Sequence, residues 1–348
     1  MSDPRRVLPQ QVHMVTARCS ERRFFLKPGK AVNQIVRYAL ARALQVTSIE
    51  LYAFVAEANH YHAIVGDPQG ELPKFMYQLN VLTARALNAH YGRGENFWCP
   101  APYSNVEIHD EETLIRELVY VYTNPVKDGL VRRPEKWPGL MTRPEDMGRR
   151  SEIVPRPDNA FFGVRRPADW IARGTLNPRE VRQAEAELRQ AKRRACAEGV
   201  RVHQRKSTLP VEIPLEVKLP LLVEDDERDA FVGRVRRALE RELDAIYRQR
   251  RAEGKTAFLG IARIRALDPF ASAGDTFPKF SLNPRIASGN QDGERQALLR
   301  GLMAWRAAYR AALEEWRAGK RGVVFPLGTY RMSKFHRCKV GEVPLLIG

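Results

Sequence analysis

The apolar positions of the first 130 residues switch between two spacings. Gln11–Arg18 (QVHMVTAR) reads as a strand. Lys30–Gln45 instead places Val32, Ile35, Val36, Ala39, Leu40 and Leu44 at the three-to-four-residue repeat of an amphipathic helix. Ile49–Glu57 and His60–Gly66 are two strand candidates separated by Ala58 and Asn59, the spacing of a tight hairpin. A second helix follows, with Pro73 in its first turn, Phe75, Leu79, Leu82 and Ala86 on one face and Gly92 past its end. Ser104–His109 is a fourth strand. A further helix begins at Asp110, a natural N-cap with Glu111 and Glu112 in the first turn, and Pro125 biases Asn124 toward its end. The order β-α-β-β-α-β predicts an α+β class: a ferredoxin-like split βαβ domain, with one antiparallel sheet and helices on one face.

Pro134–Asn159 is Pro-rich and aperiodic and marks a boundary. The expected division is a first domain at 1–133, a linker at 134–160 and a mostly helical region at 161–348. In that last region one helix starts at Asn177 with Pro178 at its first position and Glu180 completing a capping box. A second runs from about Asp225 to Arg251 and a third from about Glu294 to Ala318. The third carries Leu298, Leu302, Trp305, Tyr309 and Trp316 as a core stripe.

Charge changes the picture more than composition does. The 348 residues carry a net +17 with a pI near 10.0, which favours an anionic partner, nucleic acid first. Residues 1–150 hold a net +4 and residues 151–348 a net +13, so the excess lies in the second part. There Arg189, Lys192, Arg193, Arg194, Arg201, Arg205 and Lys206 form a cluster suited to phosphate contacts, or to an ordinary solvated helix face. Phe325–Lys339 mixes aromatic and basic side chains, as single-strand binders do, and reads equally as a terminal hairpin. No apolar run approaches the roughly 18 residues of a membrane span, and the N-terminus lacks a secretion signal, so a soluble cytoplasmic protein is expected. Cys19, Cys99, Cys196 and Cys338 are too scattered for a metal or redox motif.

The candidate chemistry begins at NHYH, Asn59–His62. Residues two apart on a strand share a face, so His60 and His62 can chelate one ion together, although two imidazoles are an incomplete site and one could be a plain sheet residue. The helix after Asp110 supplies context. At about 100° per residue, Leu114, Ile115, Leu118, Val121 and Tyr122 gather on one side, and Thr113, Arg116, Glu117, Tyr120 and Asn124 on the other. Tyr120 and Asn124, four residues apart, are neighbours on that polar stripe.

NHYH followed by YVYTNPVKDGLV, with VHMVTAR, LPKFMYQLN, NAHYGRGENFW and RRPEKWPG at comparable places, resembles the HUH single-tyrosine transposases, particularly the REP-associated tyrosine transposase class, over about residues 9–142. The resemblance implies that His60 and His62 bind a divalent metal, Mg²⁺ or Mn²⁺, that Asn124 supplies a third ligand and that Tyr120 is the nucleophile. Glu117 is an accessory candidate for ligand or base, ranked below Asn124, and His13 a weaker one. The implied activity is cleavage and rejoining of single-stranded or hairpin DNA through a 5′-phosphotyrosine, by a monomer or a homodimer. Two departures bear on substrate preference rather than chemistry. Glu57-Ala58 stands where the family has Met-Pro, and Cys99–Pro102 (CPAP) where it has a Gly-Arg pair. The competing expectations are a non-catalytic DNA-binding or regulatory protein of the same fold, and an RNA-binding ferredoxin-like module.

Overall fold

The computed structural model describes residues 4–100, 103–157, 209–274, 286–287 and 292–341, and the isolated helical positions Gln183, Ala186, Glu187 and Gln190. The elements are β1 (Gln11–Arg18), α1 (Lys30–Gln45), β2 (Glu50–Ala56), β3 (His60–Asp67), α2 (Leu72–His90), β4 (Ser104–Ile108) and α3 (Glu111–Lys127). They continue as β5 (Ser151–Pro155), β6 (Glu212–Glu216), α4 (Arg228–Ala252), α5 (Ile261–Ala266), β7 (Ile286–Ala287), α6 (Asp292–Arg317), β8 (Val324–Phe325), α7 (Tyr330–His336) and β9 (Lys339–Val340). The class is α+β, with an antiparallel sheet of order β2-β3-β1-β4 and a helical C-terminal region. This is the expected split βαβ order. It gains a short fifth strand, β7, parallel to β4 at the edge.

Register decides what shares a face. Thr16 stands opposite His62 and Arg18 opposite His60 in the β1–β3 pair. Tyr61, between the histidines, points the other way and donates its hydroxyl to Asn80 of α2 at 2.8 Å. The alternation therefore turns His60 and His62 away from α1 and α2, toward α3.

Asp110 caps α3 as its sequence predicts, accepting from Thr113 N at 2.7 Å. The helix does not stop before Pro125 but runs on to Lys127. Proline removes a single donor, and Asp128 N still closes the last turn onto Asn124 O at 3.0 Å. The polar stripe of α3 is also drier than its residue types suggest: Thr113, Thr123 and Asn124 are buried along with Leu118, Val121, Tyr122 and Val126. The reason is that α3 lies between the sheet and α4, whose Phe231, Val232, Val235, Leu239, Leu243 and Ile246 are buried.

One hydrophobic core runs from Val12 through Val154, Ile213 and Phe231 to Ile264. The Pro-rich stretch after α3 follows the free edge of β2: Ala56 N donates to Leu140 O at 2.8 Å, and Thr142 N to Phe54 O at 2.9 Å. Those bonds cover an edge that would otherwise present unpaired backbone groups. At the C-terminus the aromatic stripe is core, with Leu302 and Trp305 buried against Leu298 and Tyr309. Phe325–Lys339 is not a hairpin. β8 and β9 pair in parallel with α7 between them, because parallel strands require a crossover, and Phe325 and Met332 are buried beneath α6.

Candidate functional site

His60 and His62 project side by side from β3, with ring centroids 4.8 Å apart, and are 7% and 4% exposed. The His62 ring meets the Tyr120 ring edge-on at 5.3 Å between centroids. The Asn124 side chain lies beside the Tyr120 hydroxyl. The strand pair and the helix stripe, distant in sequence, thus meet at one point.

The hydrogen bonds around the imidazoles set which nitrogen is free. Asn59 Oδ1 lies 2.7 Å from His60 Nδ1 while its amide nitrogen donates to Arg22 O at 3.3 Å, so the oxygen faces the ring and Nδ1 carries the proton. Nε2 of His60 is then the lone-pair nitrogen. Thr16 Oγ1 holds His62 Nδ1 at 2.7 Å, and His62 Nε2 is buried without a hydrogen-bond partner. Burial, reinforced by Arg18, pushes the His62 pKa down to about 3. Burial also pulls His60 well below the usual range, with His62 and Arg18 adding to the effect. Both rings are neutral at neutral pH, the state that binds metal ions.

Two carboxyl groups at this site are absent from the expected residue set. Glu57, in the turn before β3, is 2% exposed, and its Oε2 lies 3.8 Å from His60 Nε2. Burial raises its pKa well above the carboxylate range, and the charge of Asp128 and a hydrogen bond to it push the same way. Burial raises Asp128 too, whereas the bond from Glu57 and the nearby Lys127 and Arg18 pull it down. Glu57 is therefore the partner that carries the proton, and its contact with His60 joins neutral groups. The only sequence signal was the acid itself, standing where the resembled family has methionine.

Tyr120 is half-buried, and burial raises its pKa. The neighbouring Asn124 amide opposes this, while Asp128, Glu57 and Glu117 add to it. Glu117 is half-buried one turn before the tyrosine, with Arg116 Nε 4.0 Å away and its own pKa raised by burial. With acids for neighbours, the phenol is harder to ionise than in water. A cation would reverse that balance.

Among the described residues no group of three or more His, Cys, Asp or Glu side chains is arranged to hold a metal ion. Glu57 Oε2 is the carboxyl oxygen beside His60 Nε2, and the Asn124 amide stands beside Tyr120. The orphaned Nε2 of His62 and the neutral, oriented imidazoles fit a divalent ion. His13, on β1, is elsewhere, opposite Glu107. His109 is paired with Glu107 at 3.4 Å, a partner that its spacing in the sequence does not reveal. The basic cluster at Arg189, Lys192, Arg193, Arg194, Arg201, Arg205 and Lys206 lies outside the described residues.

Residues 7–115 match the family model described as "Transposase IS200 like", a match that covers the histidine pair and ends before Tyr120. No curated protein matches the chain. Among solved structures it is similar to a REP-associated tyrosine transposase bound to a REP hairpin, at 22% identity and a TM-score of 0.37, covering 42% of this chain and 85% of that one. It is also similar to a putative transposase from Deinococcus radiodurans R1, at 18% identity and a TM-score of 0.26, covering 34% and 93%.

Proposed function

We propose, from the match of residues 7–115 to the IS200-like transposase family, that this chain cleaves and rejoins single-stranded or hairpin DNA through a covalent bond to Tyr120. The observation that carries the reading is the edge-on contact of His62 with Tyr120 at 5.3 Å, which joins the imidazole pair to a hydroxyl nucleophile.

In the proposed step the Tyr120 oxygen attacks a backbone phosphorus. A P–O bond to tyrosine forms, the bond to the 3′ oxygen breaks, and that oxygen leaves as a 3′-hydroxyl after taking a proton. A strand's 3′-hydroxyl later attacks the phosphotyrosine and restores the diester, so bond energy is conserved and no nucleotide cofactor is needed. Asn124 orients the hydroxyl and favours its ionised form, and Glu117 is the accessory carboxylate for its proton. Asn59 holds His60 in the metal-binding tautomer, and Thr16 orients the His62 ring. His60, His62 and Asn124 would hold Mg²⁺ or Mn²⁺. Such an ion supplies Lewis-acid stabilisation of charge at the phosphate.

The basic residues between Arg189 and Lys206 are proposed to contact phosphates without reading sequence. No described helix is long and apolar enough to cross a membrane, and the proposed compartment is the cytoplasm, where the chain acts as a monomer or homodimer. Incubation with single-stranded and hairpin DNA libraries and Mn²⁺, followed by denaturing electrophoresis and mass spectrometry, tests the reading. A covalent protein–DNA adduct supports it. Absence of any adduct, with metal and DNA both bound, removes it.

A further inference from the structure

A cavity of about 440 Å³ lies between α3, α4 and the stretch that follows the β2 edge. It is on the other side of α3 from the histidines, because its lining includes Tyr122, two residues and about 200° from Tyr120. Trp137, Met141 and Leu239 supply apolar wall, and Arg143 and Arg236 are among the charged lining.

The wall is built rather than incidental. Trp137 Nε1 donates to Ala56 O at 3.0 Å, which pins the indole to the end of β2. Gly139 leaves room for it, since a Cβ there would stand 2.4 Å from that nitrogen. Tyr122 is fully buried and its hydroxyl has no hydrogen-bond partner. Thr142 Oγ1 lies beside it but is engaged with Phe54, accepting from N at 2.9 Å and donating to O at 3.4 Å. Of the guanidinium groups, Arg133 meets Glu240 at 3.0 Å and Arg236 meets Glu145 at 3.3 Å. Arg143 is exposed and has no ion pair among the described residues.

Size and chemistry together narrow the occupant. Ligand sites run from about 300 to 1,000 Å³, so this one exceeds an ion's needs and is far too small for a duplex. An indole for stacking and an exposed guanidinium for a phosphate are groups that a nucleotide uses. We propose that this cavity takes a single deoxynucleotide, either free or unstacked from a single strand. The strand source rests on the transposase reading; the nucleotide chemistry does not.

The test measures binding of the four deoxynucleoside monophosphates, and of single-stranded oligonucleotides, to the full chain by calorimetry. The variants are Arg143→Ala, at an exposed position, and Leu239→Trp, which fills the cavity. Weakening of a monophosphate by about tenfold or more in Arg143→Ala, with Tm and Mn²⁺ binding unchanged, supports the proposal. A parallel loss for oligonucleotides identifies the occupant as a base from the strand, and a loss for the monophosphate alone identifies a free nucleotide. Leu239→Trp, if folded, should abolish the same binding. Unchanged binding in a folded Arg143→Ala protein, or no monophosphate binding by the unsubstituted chain, overturns it. Adduct formation at Tyr120 is scored separately: adducts without cavity binding leave the transposase reading intact, and cavity binding without adducts leaves the cavity and removes that reading.

Discussion

The ring of His62 meets the ring of Tyr120 edge-on, centroids 5.3 Å apart and planes at 82°. An imidazole nitrogen with no partner and a phenol beside an amide are thus set in one buried corner, although 58 positions separate them in the chain. Each residue that builds the corner can be changed separately.

Tyr120→Phe keeps the ring and removes the attacking oxygen, so covalent adduct formation should vanish while DNA and metal binding persist. Tyr122, buried on the far side of α3, should tolerate Phe with adduct formation retained. Peptide mapping of the adduct decides: a nucleotide on any residue other than Tyr120 overturns the assignment.

His60→Ala or His62→Ala should each abolish Mn²⁺ binding, and Thr16→Val should weaken it about 10- to 100-fold by freeing the His62 ring to turn. Calorimetric titration with Mn²⁺ reads this without DNA. Thr16→Val with undiminished affinity would show that the Thr16 bond has no part in orienting the ring.

A pH effect should come from His13, which is 1% exposed and whose pKa burial lowers to about 4. Glu107 and the neighbouring Asn105 raise it and His109 lowers it. The unfolded chain binds this proton below about pH 6.5 and the folded chain resists it until about 4, so stability is lost as pH falls through that window. Glu107 adds a loss of the same sign. Burial alone would raise it, but bonds from His109 and Arg6 keep its pKa below the usual value. In urea unfolding, His13→Gln should lose about 2 kcal/mol less than the parent between pH 7 and pH 5. Equal losses would exclude His13 as a source.

Truncation after residue 150 should destabilise the first domain and not merely weaken DNA binding. It strips the buried face of α4 from α3, six apolar side chains each worth about 1.5–3 kcal/mol, against a usual net stability of about 5–15 kcal/mol. A thermal melt of the truncated chain checks it, and a cooperative transition near the parent's Tm would contradict it.

Much of this was legible along the chain because it depends on neighbours in sequence. Strand and helix periods, the Asp110 cap, the shared face of His60 and His62 and the opposition of Tyr120 to Tyr122 are all consequences of a 2.0 or 3.6 repeat. The end of α3 lies only a few residues beyond Asn124, since one missing donor at Pro125 does not outweigh the packing on both sides of the helix.

Other features depend on residues that only folding brings together. No local pattern pairs Glu57 with Asp128, turns Asn59 and Thr16 into partners of the imidazoles, or lays Leu140–Thr142 along β2. The amphipathic period of Tyr120 and Asn124 predicts a polar stripe, but not that the stripe faces a sheet instead of water. Burial is a property of what covers a surface, and here the cover comes from β3 on one side and from α4, more than 100 residues along the chain, on the other. On the β3 side that cover dries the corner in which His62 stays neutral and Tyr120 stays protonated.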